Sequence, residues 1–330
     1  MNRGQHQITF LGAGSIGTAL GNILAVKENY RIILHSIEEE VARSITNQHR
    51  NQKYFPSISL HPRLQATTSD EVITGSSIIF LAIPSVNIDG YLESIRSFIP
   101  QEAILVNLAK GFGNEHKTIC RHLQERFPNP VCALKGPTFA REIITLLPSG
   151  FTLGYSDKNQ IQVFEQLFSG TSVCLDYTPD VTGVEILSIL KNIYAIVLGI
   201  VDAQFNSPNL RFLILTKAFR EMRRILVLFG GSEETLFNYC GYGDFTLTAL
   251  NDLSRNRTLG LLIGKGFFTE HVSHELVLEG KTAALVFYEE LSKTLDVQSR
   301  FPIVTELYRI FTSQYDISSF VSTILSVPES

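Results

Sequence analysis

The amino-acid sequence predicts an α/β chain whose N-terminal half is a doubly wound parallel sheet and whose C-terminal half is all-helical. Three observations lead there. Short apolar runs alternate with helix-like segments as far as about residue 175, the pattern made by parallel strands joined through right-handed crossovers. The first of those runs opens straight into a glycine-rich turn. Beyond about residue 180 long helical periodicities replace the short apolar runs. At 330 residues the chain also exceeds the size at which one hydrophobic core stops growing, so two domains are expected, 1–180 and 181–330.

Taken in order, strands are expected at residues 8–11, 31–34, 77–83, 103–108, 131–134 and 151–154. Behind the first comes Gly12-Ala13-Gly14-Ser15-Ile16-Gly17, then a helix pattern over residues 18–25. Gly12 permits a tight turn, Gly14 lets backbone approach a pyrophosphate, Gly17 packs helix on strand, and the helix N-terminus meets the phosphate charge. The first domain therefore reads as a Rossmann-type, dinucleotide-binding one. The choice between NAD and NADP stays open. The second strand ends Leu34-His35-Ser36 without the acid that would bind a ribose 2′-hydroxyl. Glu38, Glu39 and Glu40 fit better as favourable charge at the start of the next helix.

Lys110, in Ala109-Lys110-Gly111, follows the strand at 103–108, and open α/β sheets bind ligands at the carboxyl ends of their strands. A solvated surface lysine is the equal alternative. Gly136-Pro137-Thr138-Phe139-Ala140 follows the strand at 131–134. Pro137 suits a first helical turn there and Thr138 can donate to an anion or hydroxyl, although a plain helix start would look the same.

In the second half helices are expected at 184–202, 209–229, 258–265 and 301–313. The first is apolar nearly all round and interrupted by Lys191 and Asn192. A buried lysine is costly unless paired, and desolvation makes an ammonium readier to give up its proton, which a general acid/base requires. The other reading is a structural lysine held by a carboxylate such as Glu185 or a more distant acid. Further on, Gly243-Asp244 precedes Ser254-Arg255-Asn256-Arg257. A capping serine, a guanidinium and free backbone N–H groups would assemble a phosphate site; a solvated loop with a capping serine is the alternative. Lys217, Arg220, Arg223 and Arg224 read as a solvated basic face. His271 and His274 form a close pair without an evident third ligand, so no metal is expected.

Composition narrows the partners. The 28 basic residues against 32 acidic ones offer no global attraction for nucleic acid or anionic lipid. Four cysteines without C-x-x-C spacing signal neither zinc nor a disulfide framework and fit a reducing, cytoplasmic setting. No apolar leader precedes residue 8, and no uninterrupted apolar stretch approaches membrane-spanning length, so neither export nor membrane insertion is expected.

With these pieces in chain order, the sequence resembles the NAD(P)-dependent glycerol-3-phosphate dehydrogenases over nearly its whole length. The likeness rests on residues 12–17, Tyr54-Phe55-Pro56, Ile83-Pro84-Ser85, Ala109-Lys110-Gly111, Gly136-Pro137-Thr138-Phe139-Ala140 and Leu190-Lys191-Asn192. It continues through Gly243-Asp244, Ser254-Arg255-Asn256-Arg257, Glu279-Gly280 with Thr282-Ala283, and Phe301-Pro302-Ile303. The resemblance implies reversible hydride transfer between C2 of sn-glycerol 3-phosphate and a nicotinamide of NAD or NADP, giving dihydroxyacetone phosphate. It further implies that Lys191 exchanges the proton, oriented by Asp244, and that Lys110 touches both cofactor and substrate. Gly136, Thr138, Ser254, Arg255 and Asn256 would hold the substrate. Gly12, Gly14, Ser15, Ile16, Gly17, Ser36, Ala140, Arg255, Val277 and Glu279 would line the dinucleotide. A cytoplasmic homodimer supplying glycerol 3-phosphate for phospholipid synthesis is implied as well.

Three places depart from the family pattern. Leu187-Ser188-Ile189 adds bulk where the family has small residues, often Gly-Gly-Ala. Residues 203–209 lack the family's three glycines and its aspartate, and Ser36 stands where an arginine or histidine is frequent. Two alternatives follow. One is a sister oxidoreductase acting on another small phosphorylated or carboxylated hydroxy compound; the other is a dinucleotide-binding protein without turnover.

Overall fold

The computed structural model describes residues 6–267, 279–293 and 296–327. The chain divides into two compact units, Met1–Glu185 and Ile186–Ser330.

The first unit is built on one sheet of β1 (His6–Leu11), β2 (Tyr30–His35), β3 (Gln65–Thr67), β4 (Ser76–Leu81), β5 (Ile104–Asn107), β6 (Val131–Lys135), β7 (Ser149–Gly154) and β8 (Val173–Thr178). Their order is β3-β2-β1-β4-β5-β6-β7-β8. Helices α1 (Ser15–Leu24), α2 (Glu39–Gln48), α3 (Ser85–Ser94), α4 (Ile119–Arg126), α5 (Ala140–Ile144) and α6 (Asn159–Phe168) connect them. In β1 Ile8 sits opposite Ile32 of β2 and Ile78 of β4. Strands covered on both faces read as near-continuous apolar runs, and residues 8–11 are fully buried accordingly. Phe10 stacks on Phe80 at 4.4 Å, and Phe164 of α6 meets Phe80 edge-on at 6.2 Å. The strand order reverses direction at β1, and the crevice beyond the carboxyl ends at such a point is where ligands bind.

Two features correct the sequence reading. The sheet is not wholly parallel, because β7 runs antiparallel to β6. Between them lies only the five-residue α5, about 8 Å long against about 16 Å for the five-residue β6, too short to carry the chain back along the strand it leaves. The strands β3 and β8 were not expected. β3 has three residues, none of them buried, and pairs with β2 alone, while β8 is an edge strand, half-exposed over its middle, so neither carries a strong apolar run.

The second unit is helical, and no strand occurs among its described residues. It comprises most of α7 (Val181–Gln204), then α8 (Pro208–Leu228), α9 (Asp244–Leu250), α10 (Arg255–Gly264), α11 (Glu279–Ser292), α12 (Val297–Arg300), α13 (Pro302–Thr312) and α14 (Phe320–Ser326). By length and composition α7 could cross a membrane, yet its most apolar window is entirely buried within the protein, as a core helix should be. Only residues 205–207 separate α7 from α8, and Ser207 caps α8 by accepting from the Leu210 N–H at 3.3 Å. None of residues 203–209 has a positive φ, so this connection has no need of glycine. Glu221 of α8 accepts from the N–H groups of Ile303 and Val304, each at 3.0 Å, and so caps the first turn of α13.

Candidate functional site

In the first unit the glycine turn is dictated by space. Gly12 has φ +115, and a Cβ there would lie 2.5 Å from the Ala82 carbonyl oxygen; one on Gly17 would lie 2.1 Å from that of Gly12. Gly14 is different, with nothing within 4 Å of where its Cβ would stand. Its freedom from side-chain contact leaves the backbone approachable. Gly14 is the N-cap of α1, no side chain caps it, and Ser15 and Ile16 begin a first turn without an acid. Free N–H groups and an uncompensated dipole at that end suit a pyrophosphate. Asn51 fixes the loop from behind, donating to the Ala13 carbonyl at 2.9 Å and to the Thr18 hydroxyl at 2.8 Å.

Beside this turn is a cleft of about 310 Å³ whose lining includes Gly12, Gly14, Ser36, Glu38, Tyr54 and Ile83. Ser36 is buried and engaged locally, its hydroxyl accepting from the Glu38 N–H at 3.0 Å. Glu38 is the N-cap of α2 and pairs with Lys53 at 2.7 Å, while Glu39 and Glu40 occupy the first helical turn, the placement expected from charge alone. Burial pushes the His35 imidazole pKa down, which favours its neutral form. His35 packs between Tyr91, whose hydroxyl lies 2.9 Å from Nδ1, and Asp70. These groups fit a dinucleotide.

At the carboxyl end of β5, Lys110 Nζ lies 3.4 Å from the Gly136 carbonyl. The loop carrying it is tied down from three sides. The Asn107 Oδ1 accepts from the Ala109 N–H at 2.8 Å, its Nδ2 donates to Glu185 at 2.6 Å, and the fully buried Lys135 ammonium donates to the carbonyls of Asn107 and Ala109. Glu185 also accepts from the Cys120 N–H at the start of α4. Gly136 is required by the passage of β7, since a Cβ would come within 2.2 Å of the Gly150 carbonyl oxygen. Thr138 donates back to the Gly136 carbonyl at 3.3 Å. The helix begins only at Ala140, so Pro137 lies in the preceding loop and not in the first turn.

In the second unit Lys191 is 4% exposed and lies midway along α7. Its ammonium forms a short ion pair with Asp244 and donates to the Thr248 hydroxyl at 3.0 Å, and both partners sit on one face of α9. Asp244 is itself 1% exposed. The carboxylate that meets Lys191 is therefore the distant one. Glu185, six residues away along α7, serves Asn107 and Cys120. The next residue, Asn192, reaches Glu279 at 3.4 Å, and Asn256 accepts from the Gly280 N–H at 3.3 Å. Leu187, Ser188 and Ile189 are all buried.

Ser254 is the N-cap of α10, accepting from the Arg257 N–H at 3.3 Å. The two arginines beyond it differ. Arg257 is 7% exposed and committed to Asp202 at 2.7 Å, Asp252 at 2.9 Å and the Ala249 carbonyl. Arg255, two residues earlier, is exposed in the first turn of α10, the position from which a guanidinium can join backbone N–H groups on an anion. In the sequence Thr248, Lys135 and Asn51 carry no signal, and Glu185 reads only as a possible partner of Lys191, because each acts through a partner far along the chain. Val277, His271 and His274 lie outside the described residues. Among the described residues no cluster of metal-ligating side chains occurs.

Comparison with known proteins agrees on one family. Residues 7–161 match the family described as NAD-dependent glycerol-3-phosphate dehydrogenase N-terminus, and residues 180–322 match the corresponding C-terminus. The glycerol-3-phosphate dehydrogenase [NAD(P)+] of Clostridium botulinum is 34% identical over 316 residues, 94% of each chain. The protein of the same name from Methanothermobacter thermautotrophicus is 37% identical over 78% of this chain and 80% of its own. The crystal structure of glycerol-3-phosphate dehydrogenase from Coxiella burnetii superposes with a TM-score of 0.89 at 26% identity, covering 98% of this chain and 99% of that one.

Proposed function

This chain belongs to the NAD-dependent glycerol-3-phosphate dehydrogenase family, and from that premise we infer how its residues divide the reaction. It is an NAD(P)-dependent dehydrogenase acting on the CH–OH group of glycerol 3-phosphate. The nicotinamide cofactor, when bound, exchanges a hydride with C2 of the substrate. Oxidation of the alcohol releases the hydroxyl proton, and reduction of dihydroxyacetone phosphate returns it. Lys191 takes and returns that proton at Nζ, while Asp244 balances its charge and Thr248 orients it. The observation that carries this reading is a lysine 4% exposed in an apolar helix, held by one buried carboxylate.

Ser254, Arg255 and Asn256 at the start of α10 hold the substrate phosphate, and Lys110, Gly136 and Thr138 contact the substrate. Gly12, Gly14, Ser15, Ile16, Gly17, Ser36, Lys110, Ala140, Arg255, Val277 and Glu279 line NAD or NADP. Residues 1–180 form the dinucleotide-binding domain, and 181–330 form the domain that carries the proton-exchanging lysine and the phosphate clamp. The burial of the most apolar window of α7 within the protein supports a protein that does not insert in membranes. A cytoplasmic homodimer supplying glycerol 3-phosphate to phospholipid synthesis completes the reading.

Initial rates of NADH and NADPH oxidation, with dihydroxyacetone phosphate and a panel of related ketones, test it. The expected result is the highest kcat/KM on dihydroxyacetone phosphate. A higher value on another ketone would transfer the assignment to a sister oxidoreductase, and dinucleotide binding without any turnover would leave a binding protein.

A further inference from the structure

The basic residues of α8, of which Arg220 and Arg223 are exposed, do more than form the solvated face that their spacing suggests. Lys217, Arg220, Arg223 and Arg224 line a cavity of about 220 Å³ closed on its other side by Ile303 of α13 and Ile324 of α14. Arg224 lies with its guanidinium 5.7 Å from the Phe301 ring, and its Nε is buried without a hydrogen-bond partner among the described residues. A buried guanidinium donor left unused is costly, and a ligand acceptor would relieve that cost. Arg223 pairs with Glu233 at 2.8 Å. Glu221 also faces this cavity, but both its oxygens are turned to the N–H groups of Ile303 and Val304. The cations crowd one another, for burial and the charges of Arg220 and Arg224 push the Lys217 pKa down.

We propose that this cavity is a second anion site, separate from the first turn of α10 and taking a phosphate dianion, either free or as a small monoester. Guanidinium forks match phosphate oxygens in pairs. The apolar wall formed by Ile303 and Ile324 leaves room for a short carbon body but not for a dinucleotide.

Equilibrium dialysis of the full chain against radiolabelled inorganic phosphate tests the site. The wild type is expected to bind two phosphates, Arg255→Ala one, the combined Lys217→Gln and Arg220→Gln variant one, and all three substitutions together none. Arg220 is exposed, so Arg220→Gln alone leaves the fold and turnover with dihydroxyacetone phosphate intact while weakening this phosphate roughly tenfold. If Arg255→Ala binds no phosphate, or if the Lys217 and Arg220 changes leave the stoichiometry unchanged, the second site does not exist. If Arg255→Ala still binds two, the phosphate role given to Arg255 fails and the second site stands. In the Arg255→Ala protein, displacement by glycerol 3-phosphate at lower concentration than by unlabelled phosphate identifies a monoester as the better occupant. The reverse order identifies free phosphate.

Discussion

The glycine turn of the first unit and the lysine helix of the second reach function by opposite means. Around residues 12–17 the chain offers backbone: two positions where a side chain cannot fit, one where nothing approaches, and a helix end with its N–H groups uncapped. Around Lys191 it offers buried charge, with an ammonium and a carboxylate that are each nearly inaccessible and paired with one another. The first kind of site is damaged by adding atoms. The second is damaged by removing a partner, since an unpaired buried charge costs far more than the pair contributes.

Asp244→Asn is the harshest way to break the contrast. It leaves Lys191 buried without its carboxylate, and chemical denaturation should register a loss of about 3–5 kcal/mol. The double change Lys191→Met with Asp244→Leu should recover most of that stability while remaining inactive, which separates folding from chemistry. Equal instability of the single and double variants would contradict the buried-pair account.

Glu221 sharpens the same side of the comparison. Burial pushes its carboxyl pKa up from 4.5 to about 7, against the opposing pull of two backbone N–H groups. Between those values the folded chain holds a proton that the unfolded chain has released. The contribution of Glu221 to stability is therefore fully present below pH 4.5 and is lost as pH rises from there to about 7, by up to about 3 kcal/mol. Melting curves of wild type and Glu221→Gln should diverge across that window, the wild type losing ground as pH rises. Parallel curves would remove the titrating role.

Arg255 and Arg257 put the two modes two residues apart. Arg255→Ala should raise KM for dihydroxyacetone phosphate by roughly 10–100-fold, the loss of about 1.5–3 kcal/mol of charged hydrogen bonding, with an unchanged melting temperature. Arg257→Ala should do the reverse, because it removes one of the two guanidinium partners, Arg257 and Arg211, of the 5% exposed Asp202 carboxylate. Smallest of all, Gly14→Val should leave stability unaltered, there being open space at its Cβ, yet weaken dinucleotide binding about tenfold, or about 1.4 kcal/mol. A Gly14→Val protein that binds NADH or NADPH as tightly as wild type would show that the turn is structural only.

What the sequence disclosed follows the same division. The glycine turn, the serine cap of α10 and the apolar run of α7 are local patterns, visible because their causes lie within a few residues. The reversal of β7, the partners of Glu185 and the service of Lys135 to the Lys110 loop depend on segments up to 78 residues apart, which no local periodicity reports. For Glu185 a local argument does exist. Six residues along a helix place two side chains on different faces, so its pairing with Lys191 was disfavoured by spacing alone. The bulk at Leu187, Ser188 and Ile189 shows the limit of motif comparison: it reads as an intrusion in sequence, and all three side chains are buried.

The central claim is that Lys191 moves the proton while the glycine turn holds the dinucleotide. It is tested most directly by measuring, on wild type and Lys191→Ala side by side, kcat for dihydroxyacetone phosphate reduction together with the Kd of the reduced dinucleotide. The account predicts a kcat lower by roughly 10²–10⁴-fold with Kd nearly unchanged. A kcat loss under about tenfold would contradict the assignment.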